Sequence, residues 1–333
     1  MNTSERLAAH AAFDEEVLGR VQETAEMQNR LSFRDLTRSY GVESGPQRVP
    51  IGDDGRYLEV LEFTPKDDHD HGYARVYNMS MGNTINPALT MNLMRLFGSD
   101  PTSRLVMVGN PSVPGHAGGT VSASEAYEMV KDSTLRPVAR PVIQYLAAAG
   151  ITRSAQLGFS YGVDKAAVVS GMAPDYNHEI DKGVFVEPVS VVAHGVRRLM
   201  ARFGASNKEM PGYIKRTDSP PYYEARSTDS LLGLLGYGAG LARATNVAIV
   251  PVLARGGYEQ RLRGALKANP DAVFTTAWGS SSELTIDEAA TQMCERVEAD
   301  EPNARHFRVL GMHHAGGDDI DLHTAIMLQG LKA

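Results

Sequence analysis

The chain has 333 residues, enough for one large domain or two ordinary ones, and its 42% hydrophobic and 22% charged residues exclude a wholly disordered protein. A formal charge of -7 argues against non-specific nucleic-acid binding, which needs a basic face, and the single Cys294 excludes a disulfide framework or a cysteine-based zinc cluster. No apolar run reaches the roughly 18 residues that a bilayer crossing needs. Acidic residues also stand where a secretory signal would be apolar, so a soluble, cytoplasmic protein is expected.

Residues from about 4 to 30 predict an amphipathic helix, because Phe13, Val17, Leu18, Val21 and Ala25 recur at three-to-four-residue spacing. That stripe fits either packing on the main core or a docking arm for a second copy of the chain, a homo-oligomer. RYLEVLEF and Tyr73 to Ser80 read as neighbouring strands joined by the acidic turn DDHDHG. His69, Asp70 and His71 in that turn are poorly placed to converge on a metal. A helix (Pro87 to Phe97), a strand (Arg104 to Gly109), a helix (Leu135 to Ala149) and a strand ending at Ser160 follow. Next come a helix (Val163 to Met172) and the strand Val184 to Val189. This alternation implies a mostly parallel sheet with helices on both faces, an α/β architecture.

The pattern breaks over residues 191 to 245, which hold eight Lys/Arg against four Asp/Glu inside an acidic chain. This stretch reads as a helical insertion between two parts of the sheet domain, 46–190 and 246–333, with 1–45 as an N-terminal helical extension. Val196, Leu199, Met200 and Phe203 share one helical face there, with Arg197, Arg198 and Arg202 around it. Such a helix fits a packed lid with a solvated basic face, or one that meets an anionic or lipid partner. Alternation resumes with a helix near Tyr258 to Ala268, the strand Ala272 to Trp278, a helix near Ile286 to Ala299, the strand HFRVLGM and a last helix.

Gly158-Phe159-Ser160-Tyr161-Gly162 is a G-x-S-x-G between a strand and a helix. A serine on so sharp a turn is pushed above the sheet edge, in a backbone that tolerates only small neighbours two residues either side. The helix that follows aims its first amides at the same place, where negative charge would be stabilised.

From about residue 47 to 333 the chain resembles the α/β-hydrolase superfamily, of the lid-bearing serine esterase and lipase type. The resemblance rests on an ordered set of features. Tyr73 to Ser80 with Met81-Gly82-Asn83 is similar to the strand and loop that carry half of the oxyanion hole. Arg104 to Gly109 with PSVPGHAGG is similar to the next strand and its turn. GFSYG resembles the nucleophile elbow, AVFTTAWGSSSEL the strand and loop that present the acid, and HFRVLGMHHAGG the histidine loop.

That resemblance implies a Ser-His-acid triad, a small-molecule acyl substrate, and no metal or other cofactor. Ser160 is the nucleophile. His314 is the base, with His313 as alternate; His323 reads as an ordinary helix residue. The position where the family usually places an aspartate is Ser282, so Glu283, directly after it, is the expected acid. Glu187 is the alternate, since some relatives present the acid after the preceding strand. Backbone amides of Tyr161 and of Met81, Gly82 and Asn83 are the expected oxyanion donors. Asp318, Asp319, Asp321 and His323 are metal-like in spelling, but capping of the last helix is the stronger reading. The alternatives are a non-catalytic protein that kept the fold, or the same triad used for acyl transfer, carbon–carbon cleavage or perhydrolysis.

Overall fold

The structure, a computed structural model, describes residues 3–10, 12–51, 55–66, 70, 72–80, 85, 87–110, 121–216 and 244–333. Its eight strands are β1 (Gln47–Ile51), β2 (Arg56–Phe63), β3 (Tyr73–Asn78), β4 (Arg104–Val108), β5 (Arg153–Phe159), β6 (Glu179–Val186), β7 (Val273–Gly279) and β8 (Ala304–Val309). They form one sheet in the order β1-β2-β4-β3-β5-β6-β7-β8. β2 runs antiparallel to both β1 and β4, and every pairing from β4 to β8 is parallel.

Strand side chains alternate between faces, and here both faces are buried, as parallel strands require. Val76, Val106 and Phe185 pack against α6 (Arg136–Ala148), α7 (Tyr161–Met172), α10 (Tyr258–Ala268) and α11 (Asp287–Asp300). Their neighbours Tyr77, Met107 and Val184 face the other way, onto α2 (Glu15–Gln28), α4 (Pro87–Ser99) and α12 (Ile320–Lys332).

β2 and β3, expected as neighbours, are separated by β4. β3 is buried along nearly its whole length and takes a parallel partner on each side, which a hairpin to β2 would have denied it. The single helix expected over about 4–30 is two, α1 (Thr3–Ala8) and α2, and beyond it comes α3 (Phe33–Ser39), capped by the Ser32 hydroxyl accepting from the Asp35 amide at 3.2 Å. Val17, Val21 and Ala25 are buried within the chain itself, so the stripe that could have met a second copy is covered by the protein's own core.

α5 (Ala123–Asp132) was not foreseen, although Ser122 and Glu125 form a capping box that the letters S-x-x-E announce. α8 (Val196–Arg216) and α9 (Ala244–Ala254) bound the insertion, whose residues 217–243 lie outside the described ones. Leu199 and Phe203 of α8 join a third cluster with Val121, Ile249, Leu253 and Leu284, while Arg197 and Arg198 are exposed. Leu199 and Phe203 of the expected apolar face thus pack, while Val196 at its start is exposed. Among the described residues no helix is long and apolar enough to cross a membrane.

Candidate active site

Parallel strands bring all their carboxyl ends to one edge, and the chain leaves β4 and β3 on one side to continue at β5 on the other. The crevice at such a reversal is where open α/β sheets bind ligands. Ser160 follows β5 there, Glu187 follows β6, Ser282 and Glu283 follow β7, and His313 and His314 follow β8.

Ser160 has φ 57° and ψ -130°, a conformation that costs a non-glycine residue about 1–3 kcal/mol. Its amide donates to the Val186 carbonyl at 2.9 Å, which fixes the turn to the neighbouring strand. Both motif glycines are sterically required. A Cβ on Gly158 would lie 2.6 Å from the Gly162 carbonyl oxygen, and one on Gly162 would collide with the Asn78 carbonyl oxygen. Larger residues at either place would push β5, β3 and α7 apart.

His314 opens a short 3-10 turn, His314–Asp318, and its two ring nitrogens are both engaged. Nε2 is 3.0 Å from Ser160 Oγ and Nδ1 is 2.9 Å from Glu187 Oε2. A carboxylate only accepts, so Nδ1–H donates to Glu187, leaving Nε2 as the acceptor for the serine hydroxyl. The Phe159 ring lies 5.1 Å from the imidazole, centroid to centroid. Ser160 and His314 are almost fully buried and Glu187 is completely so.

The carboxylate beside His314 is that of Glu187, the alternate, and not that of Glu283. Glu283 does not reach His314; its Oε1 is 2.6 Å from Nδ1 of His313, while the Arg202 guanidinium of α8 donates to its main-chain carbonyl. The reason lies in register. Val186 pairs with Phe159 on one side and Ala277 on the other, so Glu187 and Ser160 stand level at the ends of adjacent strands. Glu187 also has φ 60° and donates its amide to the Ala277 carbonyl at 2.8 Å. Gly279 N–H donates to its Oε1 and Ser282 Oγ–H to its Oε2, each at 2.5 Å. Ser282, where the resemblance looked for an acid, instead donates to a carboxylate that stands a strand earlier.

Met81, Gly82 and Asn83 lie outside the described residues, as do His69 and His71 of the acidic turn. Tyr161 is the first residue of α7, so its amide has no acceptor inside the helix. Among the described residues no group of three or more His, Cys, Asp or Glu could hold a metal. Asp319 and Asp321 are engaged by Arg6 and Arg95 instead, and Asp319 caps α12 by accepting from the Leu322 amide at 3.1 Å. His323 is buried between Tyr77 and Phe159, and burial pulls its imidazole down to about 4.

Lys165, which sequence reasoning passed over, is fully buried on α7. Its ammonium meets Asn110 Oδ1 at 3.2 Å and the carbonyls of Val108 and Gly109 at 3.4 Å, and burial pushes it down to about 7. A lysine one helical turn past Ser160 reads as a solvated charge in the letters alone. The apolar strand VFVEPV that follows α7 in the chain gives no hint that the helix is enclosed.

By sequence, no family model and no curated protein matches the chain. Its likenesses are to solved structures. A hydrolase from Pseudomonas aeruginosa PA01 superposes at TM-score 0.55 with 15% identity, over 87% of this chain and 99% of that one. The 2-hydroxy-6-oxo-6-phenylhexa-2,4-dienoate hydrolase of Rhodococcus sp. strain RHA1 does so at 0.54 with 12% identity, over 86% and 98%. A carboxylesterase of the thaumarchaeon Nitrososphaera gargenis gives 0.52 with 11% identity, over 86% and 97%. The chain has the α/β-hydrolase fold.

Proposed function

We propose that the chain is a serine hydrolase that cleaves an ester or related acyl bond through an acyl-enzyme. The observation that carries this reading is the continuous relay from Ser160 Oγ through His314 to Glu187, at 3.0 and 2.9 Å, on a strained strand-to-helix turn. A serine hydroxyl is a poor nucleophile until a base removes its proton, and His314 Nε2 is in position to do so. As Ser160 Oγ bonds to the acyl carbon, the proton passes to His314 and Glu187 stabilises the imidazolium. The oxyanion that forms takes a hydrogen bond from the Tyr161 amide, at the start of α7. His314 then returns its proton to the leaving group as the carbon–leaving-group bond breaks. Water, deprotonated by His314, attacks the acyl-enzyme and frees the acid and Ser160.

Residues 191–245 we read as a lid that sets substrate choice. α8 packs against the turn that carries His314, and Arg202 from it reaches the loop after β7. Incubation with an active-site phosphonate followed by peptide mapping tests the reading. The adduct is expected on Ser160, and Ser160→Ala should abolish both labelling and hydrolysis of p-nitrophenyl esters while leaving the circular dichroism unchanged. An adduct elsewhere, or esterase activity retained by Ser160→Ala, would overturn it.

A further inference from the structure

The loop that presents His314 spans residues 310–319, between the end of β8 at Val309 and the start of α12 at Ile320. Both of its ends are held by the N-terminal segment of the chain. At the first end, His10 Nδ1–H donates to the Leu310 carbonyl at 2.6 Å, and the Leu310 amide donates to the His10 carbonyl at 3.3 Å. At the second, the Arg6 guanidinium donates to Asp319 Oδ2 and, at 3.0 Å, to Asp321 Oδ2. Between these contacts Leu7 is completely buried, which anchors α1 against the core.

Within the loop, Gly316 N–H donates to the His313 carbonyl at 2.8 Å and Asp319 N–H to the Gly316 carbonyl at 3.1 Å. Outward, Gly311 N–H donates to Ser280 Oγ at 2.8 Å, the Asn92 side-chain amide of α4 donates to the Gly317 carbonyl at 3.4 Å, and His314 itself meets Glu187 and Ser160. The electrostatics make Arg6 the critical member of this bracket. Asp319 is buried beside Asp321, and burial pushes its carboxyl up against the pull of Arg6. Asp321 has a second cation in Arg95, at 2.5 Å, which is itself held by Gln28 Oε1 at 2.8 Å and Asn29 Oδ1 at 3.2 Å. Asp319 pairs with Arg6. Without that guanidinium, Asp319 must take up a proton or turn toward water, because a buried lone carboxylate is too costly to keep. Either response weakens its bond to the Leu322 amide, the cap that joins the His314 turn to α12.

We propose that Arg6 is a positioning residue for His314, so that the N-terminal segment is a working part of the active site. The inference rests on reading Ser160, His314 and Glu187 as a triad. Arg6 touches none of the three. It acts by holding Asp319, and through Asp319 the turn whose first residue is His314. A displacement of about 1 Å in a base that must sit within hydrogen-bond reach of the nucleophile costs on the order of 100-fold in rate.

The test uses the full chain with Arg6→Met, Arg6→Lys and the double variant Arg6→Met/Asp319→Asn. Lys332→Met is the control. It removes a different tie between the N-terminal region and α12, the pairs to Asp14 at 2.9 Å and Glu16 at 2.8 Å, at the end of α12 far from His314. The readouts are kcat and KM on a p-nitrophenyl ester that the wild type hydrolyses, and the low-field proton resonance of the His314 Nδ1–H···Glu187 bond. Arg6→Met should lower kcat by about 100-fold with KM nearly unchanged, and broaden that resonance. Arg6→Lys should recover part of the loss, since a point charge can reach one carboxylate. Asp319→Asn should also recover part, by removing the charge left unpaired. Lys332→Met should change neither readout.

Wild-type kcat and an unaltered resonance in Arg6→Met would overturn the proposal, as would an equal loss in Lys332→Met. If Arg6→Met fails to fold, the lysine and double variants decide on the same two readouts. A wild type that neither turns over esters nor labels at Ser160 would instead defeat the triad reading, while the resonance still reports whether Arg6 orders His314.

Discussion

Two histidine–glutamate pairs stand side by side at the carboxyl edge of the sheet, one residue apart on the β8 loop. His314 meets Glu187 at 2.9 Å and His313 meets Glu283 at 2.6 Å. The chemistry of each bond is the same and their surroundings are opposite. The Glu187 side chain is completely buried and that of His314 is 9% exposed, whereas those of His313 and Glu283 are 31% and 22% exposed. Glu187 also accepts from the Gly279 amide and the Ser282 hydroxyl, so three donors define where its oxygens lie. One carboxylate oxygen of Glu283 is buried with no partner among the described residues. A short distance to an imidazole therefore does not identify the acid of a triad. What separates the pairs is that one is fixed by strand register and levelled with Ser160, while the other sits at the mouth under α8.

Glutamine substitutions should break the comparison most sharply. Glu187→Gln keeps the shape but offers the imidazole an amide that can hold the wrong tautomer, a fault worth on the order of 10⁴ in turnover. Glu283→Gln should change kcat by less than about tenfold, because it acts on a histidine that does not touch Ser160. Steady-state kinetics on one ester with both variants checks the pair. A larger loss in Glu283→Gln would exchange the roles assigned to them.

Lys165 sharpens the same contrast from the other side, as a buried charge whose described partners are neutral. Its ammonium is pushed from 10.5 down to about 7 by burial alone, so between those values the unfolded chain binds a proton that the folded chain does not. Stability must then rise with pH across that window, by up to about 1.4 kcal/mol per pH unit, and be lost as pH falls back toward 7. Lys165→Met removes the titrating group. Urea unfolding between about pH 7 and 10.5 should show the rise in the wild type and a flatter profile in the variant. Parallel profiles would mean that Lys165 keeps its charge when folded.

These contrasts also explain what could be read from the letters. Ser160 was legible because the geometry around it leaves a local mark: with a Cβ forbidden at Gly158 and at Gly162, the turn can be spelled almost only one way. The alternation of strands and helices was legible for a similar reason, since burial on both faces demands apolar runs of fixed length. Glu187 was legible only as the alternate to Glu283, because its place beside His314 depends on Val186 pairing with Phe159 and on a left-handed backbone at a residue whose letter permits either. β4 inserting between β2 and β3 is likewise a property of pairing and not of any one strand. The Arg6–Asp319 contact joins opposite ends of the chain, a distance at which spacing carries no information.

The smallest expected effect belongs to the outer pair itself. His313 and Glu283 are partly exposed, and exposed ion pairs contribute about 0.2–1 kcal/mol because water screens them and two side chains must be ordered. Yet the loop holding Glu283 is also tied to α8 by the Arg202 guanidinium at its carbonyl, a tie that does not depend on the Glu283 side chain. His313→Gln should therefore lower unfolding free energy by less than about 1 kcal/mol and change kcat by only a few-fold. KM is the more sensitive quantity, because His313 adjoins His314 in the chain and its partner Glu283 is tied to α8. A several-fold change in KM that differs between short-chain and long-chain esters would mark the outer pair as part of the substrate's entrance. A loss of kcat as deep as that in Glu187→Gln, with stability intact, would mean that buried and exposed pairs act as one unit, and the distinction drawn between them would fall.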